Sequence, residues 1–361
     1  GFIGSHTTDA LLKKGHEVKI LDILKKPVHM KGFPEYLDKS KIEFIYGDVR
    51  NKTLMTYALQ DVDVVYHLAA YQDYLPDYST FSHINTFSTS LIYEIIEENS
   101  FPVKKVIVAS SQAVMGEGKY LNNEGVEFFP NLRTDSQLQE LKWNHFDPKT
   151  GLDLEIQLSD ERVVNPQNPY AMSKYQQEML AINLGKRIGV PSVAMRYSIV
   201  QGSRQSFYNA YSGACRIFSL AYYLKKQPTA FEDGNAKRDY VNIHDVVNAN
   251  ILVMEDDRAN YEVFNVGGGN AFTVIEFAEV VASVYGLDMK PKVPRDYRFG
   301  DTRHIISDIS KLKSIGWKPE KTVYDSVKEY KAYLEEQSDI EDILDYAENK
   351  MKNLNVIRST K

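Results

Sequence analysis

Cysteine is almost absent: Cys215 is the one example in 361 residues. A single thiol can form neither an internal disulfide nor a thiolate-rich metal site, so the fold does not rest on cross-links and a reducing, cytoplasmic setting is expected. No apolar run approaches the roughly 18–20 residues of a membrane span, and no basic-then-apolar leader opens the chain, so no membrane association is expected. Positive charge is also not in excess. The formal net charge of −6 gives no global basic footprint of the kind nucleic-acid binders carry, so a phosphate-bearing ligand needs a local cluster of donors. There is no internal repeat or low-complexity tract, and no metal site is expected.

What is present is an ordinary globular composition, 43% hydrophobic and 25% charged, in a chain longer than the roughly 100–200 residues usual for one domain. Two lobes are expected. The segments Glu17–Leu21, Ile42–Tyr46, Val62–His67, Lys105–Ala109 and Ser192–Arg196 read as short apolar strands, and Thr7–Lys14, Thr53–Leu59, Phe81–Glu98 and Tyr170–Ile188 as helices. Strands alternating with helices at this spacing predict a parallel sheet covered on both faces. Residues 117–164 break the rhythm, being polar and aromatic-rich, and read as an insertion or cap. After Gly202 the alternation is irregular, with an aromatic helix over Asn209–Lys225, and Tyr240–Ile251 reads as a return to the sheet. Residues 331–361 are charged and helix-prone, as for a solvated terminal helix.

Gly1-Phe2-Ile3-Gly4 runs straight into a helix, and Asp22 stands at the end of the following strand. Glycines let the backbone approach a pyrophosphate, a helix N-terminus supplies N–H donors, and an acid ~20 positions on bonds ribose hydroxyls. A glycine pair alone is usually an ordinary turn, but placement before a helix with the acid in register favours a dinucleotide. Asp22 would repel a 2′-phosphate, so NAD is the expected form. Asp48 and Val49, after the next strand, either flank the adenine or form a plain turn. Because Gly1 begins at the second half of such a fingerprint, a first strand and first glycine are expected upstream.

Ser111 follows the strand Lys105–Ala109, and Tyr170-Ala-Met-Ser-Lys174 lies downstream after Asn168-Pro169, a helix-entry signal. Tyrosine and lysine four apart share a helix face. By chance such a pair is merely exposed, but beside a dinucleotide turn it gains a chemical meaning. An ammonium next to the phenol, with a positive nicotinamide, is expected to draw the phenol's pKa of ~10 toward neutrality. The phenolate would take a proton from a sugar alcohol while hydride leaves the same carbon, with Ser111 bonding the reacting oxygen. In the second half, Arg238 and Arg298 offer planar two-point donors to a nucleotide diphosphate. Each taken singly reads as a surface charge.

These residues resemble the NAD-dependent epimerase/dehydratase branch of the extended short-chain dehydrogenases. The likeness spans roughly Gly1 to Tyr330 through Gly1-Phe-Ile-Gly-Ser-His6, Leu68-Ala69-Ala70, Ser110-Ser-Gln-Ala-Val114, Asn168-Pro-Tyr-Ala-Met-Ser-Lys174, Arg238-Asp-Tyr-Val241 and Gly300-Asp-Thr-Arg-His304 with Asp308. Arg196–Gly202, Arg204–Tyr211 and Ala70–Tyr74 are most similar to the dTDP-L-rhamnose 4-epimerase group. The resemblance implies an α/β fold, a Rossmann-type doubly wound parallel sheet, with a smaller discontinuous C-terminal substrate lobe. The expected divisions are an NAD-binding domain over 1–200, including the insertion and the return at about 240–251, a substrate lobe over 201–330, and the extension over 331–361. It also implies Ser111, Tyr170 and Lys174 as the catalytic trio and Gly1, Phe2, Ile3, Gly4, Leu68, Ala69 and Ala70 around NAD. On the substrate side it implies Gln112, the diphosphate ligands Arg238 and Arg298, and Asp301 near the nucleotide ribose. A homodimer paired through the helices 81–98 and 170–188 is expected. The sequence departs from the family at Met115, where tyrosine is common, and at Ile199, where asparagine is frequent.

The reading that follows is a nucleotide-sugar 4-epimerase. A 4,6-dehydratase needs a further acid and base, which relatives carry directly after the catalytic serine or threonine, whereas Gln112 and Ala113 stand here. A reductase of the same family and a non-catalytic nucleotide-binding scaffold also compete with it.

Overall fold

Strands with runs of consecutive apolar residues, Val106–Ala109 and Val193–Met195 among them, form the centre of the molecule. The computed structural model describes all residues except Tyr74, 209–212, Asp339 and Lys361. Helix α1 (Phe2–Lys13) leads to β1 (Val18–Asp22), β2 (Ile42–Tyr46), α2 (Lys52–Leu59), β3 (Val64–His67), α3 (Phe87–Asn99), β4 (Lys105–Ser111), α4 (Pro169–Ile188) and β5 (Ser192–Tyr197). Then come β6 (Ile199–Gln201), α5 (Ala214–Tyr223), β7 (Lys237–Asn242), α6 (Ile243–Glu255), β8 (Val263–Val266), β9 (Ala271–Thr273), α7 (Val274–Val284), β10 (Tyr297–Arg298), α8 (Val323–Glu335), α9 (Leu344–Asn353) and β11 (Ile357–Arg358).

The central sheet has the order β8-β5-β4-β3, parallel throughout. Along β4 the side chains alternate between two cores. Val106 and Val108 pack with Leu91, Ile92, Ile95 and Ala181 of α3 and α4, whereas Ile107 and Ala109 pack with Val246, Ala249 and Val253 of α6. Helices therefore cover both faces, as in a Rossmann-type fold. Strands β1 and β2 form a separate parallel pair.

Several expectations need correction. Tyr240–Ile251 is not a strand of the central sheet: β7 joins β6 and β9 in a three-stranded sheet. Asn242 then caps α6, its side chain accepting from His244 N, and the chain turns helical. The strand that returns to the central sheet is β8. The helix expected over Phe81–Glu98 is interrupted by a π-helical turn, Ser82–Thr86. Of the helix expected from Asn209, residues 209–212 lie outside the described residues, as does Tyr74, and the helix observed runs Ala214–Tyr223. The terminal segment is not simply a solvated helix, because β11 pairs antiparallel with β10.

The insertion holds three short antiparallel strands, Tyr120–Leu121, Glu127–Phe128 and Glu155–Ile156, and a short helix, Asp135–Gln139. Buried charges bolt it to the second half of the chain. Arg133 donates to both oxygens of Glu232 (2.8 and 2.9 Å), and Arg303, itself held by Glu232 (3.1 Å) and Asp233 (2.7 and 2.8 Å), donates from Nε to Asn144 Oδ1 (3.0 Å) and from its backbone N–H to Glu117 Oε2 (2.7 Å).

Helix α4 is fixed at both ends by its sequence. Asn168 caps it through Ala171 N (2.8 Å) with Pro169 in the first turn, and Gly189 ends it at φ 72°. Between them, Glu178 is buried and receives Nε and Nη2 of buried Arg196 from β5, both at 2.8 Å, together with the Ser110 hydroxyl from β4. Replacing Glu178 by Gln leaves a buried guanidinium without its counter-charge, which costs about 3–5 kcal/mol. Urea denaturation of Glu178→Gln should show a loss of this size; a loss near zero would mean the pair is solvated.

Candidate active site

Three side chains meet where β4 ends and α4 begins. Ser111 is the last residue of β4, in register with Tyr197 of β5. Its Oγ accepts from Ala113 N (3.2 Å), opening a short 3-10 helix, Gln112–Met115. In the first turn of α4, Tyr170 lies close enough to Ser111 for the serine hydroxyl to lower its pKa. Lys174, a turn further on, is 1% exposed, donates to Ala109 O (2.8 Å) and lies 5.8 Å from the centre of the Tyr170 ring. The trio read from the sequence is assembled.

Its electrostatics differ from the expectation in one respect. Burial pushes the Tyr170 phenol up, to about 12, against the interaction with Ser111. The protein's own groups thus do not bring it toward neutrality, because desolvation penalises the phenolate more than its neighbours stabilise it. Burial likewise lowers Lys174 to about 7, with the Glu178 carboxylate opposing. His67, at the end of β3, is buried, bonded to Ser88 Oγ (2.8 Å), and held down at about 3 by burial and then by the Lys174 charge, so it is neutral.

A residue that sequence reasoning missed supports this corner. Asn85 lies in the π-helical turn, wholly buried. Its Nδ2 donates to Ser173 Oγ (2.9 Å) and Tyr71 O (3.0 Å), and its Oδ1 accepts from Tyr71 N (2.7 Å). It ties the loop after Leu68-Ala69-Ala70 to the helix bearing Tyr170. The available signal was an asparagine within an otherwise regular helical pattern.

The glycine turn is also in place. Helix α1 starts at Phe2 with no side-chain cap on its first amides, leaving N–H donors at a helix N-terminus. A side chain on Gly1 would meet nothing within 4 Å, whereas one on Gly4 would lie 3.8 Å from Leu68. Asp22 stands 3.2 Å from Gly1 N and accepts from Leu24 N (2.8 Å), with His29 at 3.5 Å. Burial raises the pKa of Asp22, while His29 and the Leu24 N–H lower it, and the carboxylate is held below its usual range. Uncapped amides, a fixed carboxylate and a buried ammonium fit a dinucleotide. Asp48, by contrast, is engaged by Arg50 through Nε (2.9 Å) and the backbone N–H (2.9 Å), the plain turn arrangement, and Val49 packs into the core.

Arg238 and Arg298 come together on one loop. Arg238 donates to the carbonyls of Thr302 (2.7 Å) and Arg303 (2.9 Å); Arg298 pairs with Asp301 (2.5 Å) and lies over Phe231 (5.2 Å). Gln112 is buried beside Ser111, and its Oε1 has no hydrogen-bond partner among the described residues. Met115 packs with Val163 and Ile305, so its departure from the family pattern is a core substitution. Among the described residues no group of three or more His, Cys, Asp or Glu is arranged to hold a metal, and no helix is long and apolar enough to cross a membrane.

A dinucleotide-type parallel sheet carrying serine at a strand end and tyrosine and lysine on the next helix defines a short-chain dehydrogenase class enzyme. Comparison with known proteins narrows this. The model of the NAD dependent epimerase/dehydratase family matches residues 1–135, and that of GDP-mannose 4,6 dehydratase matches 151–330. The dTDP-L-rhamnose 4-epimerase of Burkholderia thailandensis is 27% identical over 94% of each chain. A putative UDP-glucose 4-epimerase of Methanocaldococcus jannaschii is 29% identical, covering 91% of this chain and 93% of the relative. The structure of the UDP-glucose 4-epimerase of Thermotoga maritima with UDP-glucose superposes with a TM-score of 0.75 at 27% identity, over 93% and 96% of the two chains. Over these matches the chain is similar to the NAD-dependent epimerase/dehydratase family.

The desolvated lysine gives a test. Unfolded lysine titrates at ~10.4, so between about pH 7 and 10 the unfolded chain binds more protons, and this residue makes stability rise with pH. The unfolding free energy of the parent minus that of Lys174→Met should therefore increase from about pH 7 to about pH 10 in urea titrations. A flat or falling difference would mean that the ammonium is hydrated.

Proposed function

We propose that this chain is an NAD-dependent nucleotide-sugar 4-epimerase that transiently oxidises carbon 4, with Tyr170 as the base. The observation that carries the reading is the assembled Ser111, Tyr170 and Lys174, followed directly by Gln112 and Ala113, neither of which is an acid or a base. NAD, when bound, supplies a reversible hydride acceptor. The turn Gly1-Phe2-Ile3-Gly4 and the first amides of α1 hold its pyrophosphate, Asp22 its ribose, and Leu68, Ala69 and Ala70 line its path, while Asp48 and Val49, engaged by Arg50 and by the core, take no part. Tyr170 removes the proton of the sugar 4-hydroxyl and returns it to the epimer. Ser111 orients that oxygen, and Lys174 stabilises the phenolate that burial disfavours. Gln112 contacts the sugar, Arg238 and Arg298 the diphosphate, and Asp301 the nucleotide ribose.

Relatives acting on dTDP-L-rhamnose and UDP-glucose support a nucleotide hexose as substrate. The dehydratase model matches only from residue 151 onward, beyond the Gln112 and Ala113 positions where a second acid–base pair would stand. A homodimer is part of the proposal: Phe87 on α3 and Met172 and Met179 on α4 are exposed apolar groups, as an interface between copies requires. Sedimentation of Met172→Glu should show a monomer where the parent sediments as a dimer.

The catalytic reading is tested with substrate deuterated on carbon 4. The label should remain in the epimer without accumulation of NADH, since the hydride never meets solvent. Release of a 4-keto-6-deoxy sugar, or reduced cofactor stoichiometric with product, would replace the epimerase by a dehydratase or a dehydrogenase. Tyr170→Phe should lose more than about 99% of turnover while keeping NAD binding, consistent with removal of a general base.

A further inference from the structure

Two segments have no part in the chemistry above, the insertion and the C-terminal extension, yet both converge on one short strand. In β10, Tyr297 pairs with Arg358 and Arg298 with Ile357 of β11, and Phe299 N donates to Val356 O at 2.9 Å. Asp135 of the insertion, its carboxylate partly exposed, completes this corner. Its Oδ1 accepts both from the Tyr297 hydroxyl (2.7 Å) and from Arg358 Nη1 (2.6 Å). The Arg358 guanidinium also lies over the Phe299 ring, 4.1 Å from its centre. Tyr297 is fully buried against Leu138 and Trp143 of the insertion, and Arg133 Nη2 holds Asp301 O at 2.9 Å. Helix α9, which precedes β11, is moored near the end of α5 by Lys226, which pairs with Asp342 just before the helix and with Asp345 in its first turn (3.5 Å). The loop bearing Arg298 and Asp301 is therefore gripped on one side by the insertion and on the other by the C-terminal strand, with Asp135 and Arg358 as the clasp.

We propose that the Asp135–Arg358 clasp is a positioning device for the nucleoside-diphosphate end of the substrate, acting through Arg298. This rests on the assignment of Arg298 to the diphosphate. A guanidinium recognises a diphosphate by planar two-point bonding, which tolerates little displacement. Strand β10 is two residues long and, among the described residues, has only β11 to pair with, so the direction of Arg298 depends on that ladder. The clasp touches neither the Ser111, Tyr170 and Lys174 corner nor the glycine turn. Loosening it should weaken the hold on the nucleotide without altering the chemical step.

The experiment measures binding of UDP and of dTDP, and steady-state rates with the corresponding nucleotide hexoses, for the complete chain and for Arg358→Ala, Arg358→Lys, Asp135→Asn, Arg298→Ala and Arg298→Ala/Arg358→Ala. Arg358→Ala should weaken nucleoside-diphosphate binding and raise KM about tenfold with kcat and NAD affinity unchanged, as expected when a contact common to ground and transition states is lost. Arg358→Lys should recover part of this, Asp135→Asn should mimic it, and adding Arg358→Ala to Arg298→Ala should have no further effect. Unchanged KM and nucleotide affinity in Arg358→Ala, with Arg298→Ala impaired, would overturn the clasp alone. Full affinity in Arg298→Ala would overturn both the clasp and the diphosphate assignment. A loss of NAD binding and kcat together with KM in both Arg358→Ala and Asp135→Asn would mark the clasp as general scaffolding and overturn the proposal.

Discussion

The geometry of the catalytic corner depends on one buried ion pair. Glu178 accepts two bonds from Arg196 and one from Ser110, and so joins the helix carrying Tyr170 and Lys174 to the two strands beneath it. A helix resting on apolar contacts alone could slide or rotate at small cost, since dispersion and burial have no direction. A two-point guanidinium–carboxylate bond does have direction, and it lies one helical turn beyond Lys174. Its desolvation is offset because Arg196 Nη1 also donates to the carbonyls of Glu161 and Val163. The same carboxylate opposes the fall in the Lys174 pKa that burial imposes. Mechanical and electrostatic control of the site thus share one group.

Much of this was legible in the sequence where the signals are local. Asn168-Pro169 announces α4, the run Lys105–Ala109 announces the central strand, and Gly1 and Gly4 with Asp22 announce the nucleotide turn. What was hidden depends on tertiary contact. Glu178 looks like any charged helical residue until Arg196 is brought against it. The upward shift of the Tyr170 phenol reflects burial, which spacing does not encode. The segment Tyr240–Ile251 combines the end of a strand with the start of a helix, and short apolar runs do not distinguish the two by periodicity. Asn85 matters because of a π-helical turn that no propensity marks. Strand β11 is two residues long and has no period to read.

Charge is also distributed according to task. Around the loop bearing Arg298 and Asp301 it is abundant and paired: Arg133 and Arg303 share Glu232, and Arg303 also bonds Asp233 and Asn144. His304, next to this network, is held down at about 3 by burial and then by Arg303, Arg238, Lys237 and Arg133, so it stays neutral and its Nδ1 accepts from Lys237 N. At the catalytic corner charge is sparse and desolvated, which magnifies the effect of any ion brought there. A rigid, saturated loop suits recognition of a fixed diphosphate, and an unsaturated corner suits proton transfer.

The insertion leaves the chain just after Ser111 and returns just before Tyr170. The distance between those two side chains is nevertheless set elsewhere, by the pairing of Ser111 with Tyr197 and by the hold of Glu178 on Arg196. Glu161 and Val163, at the end of the insertion, belong to that hold through Arg196, whereas its three short strands do not. A change of length among those strands would alter what the second lobe grips while the reacting groups keep their spacing.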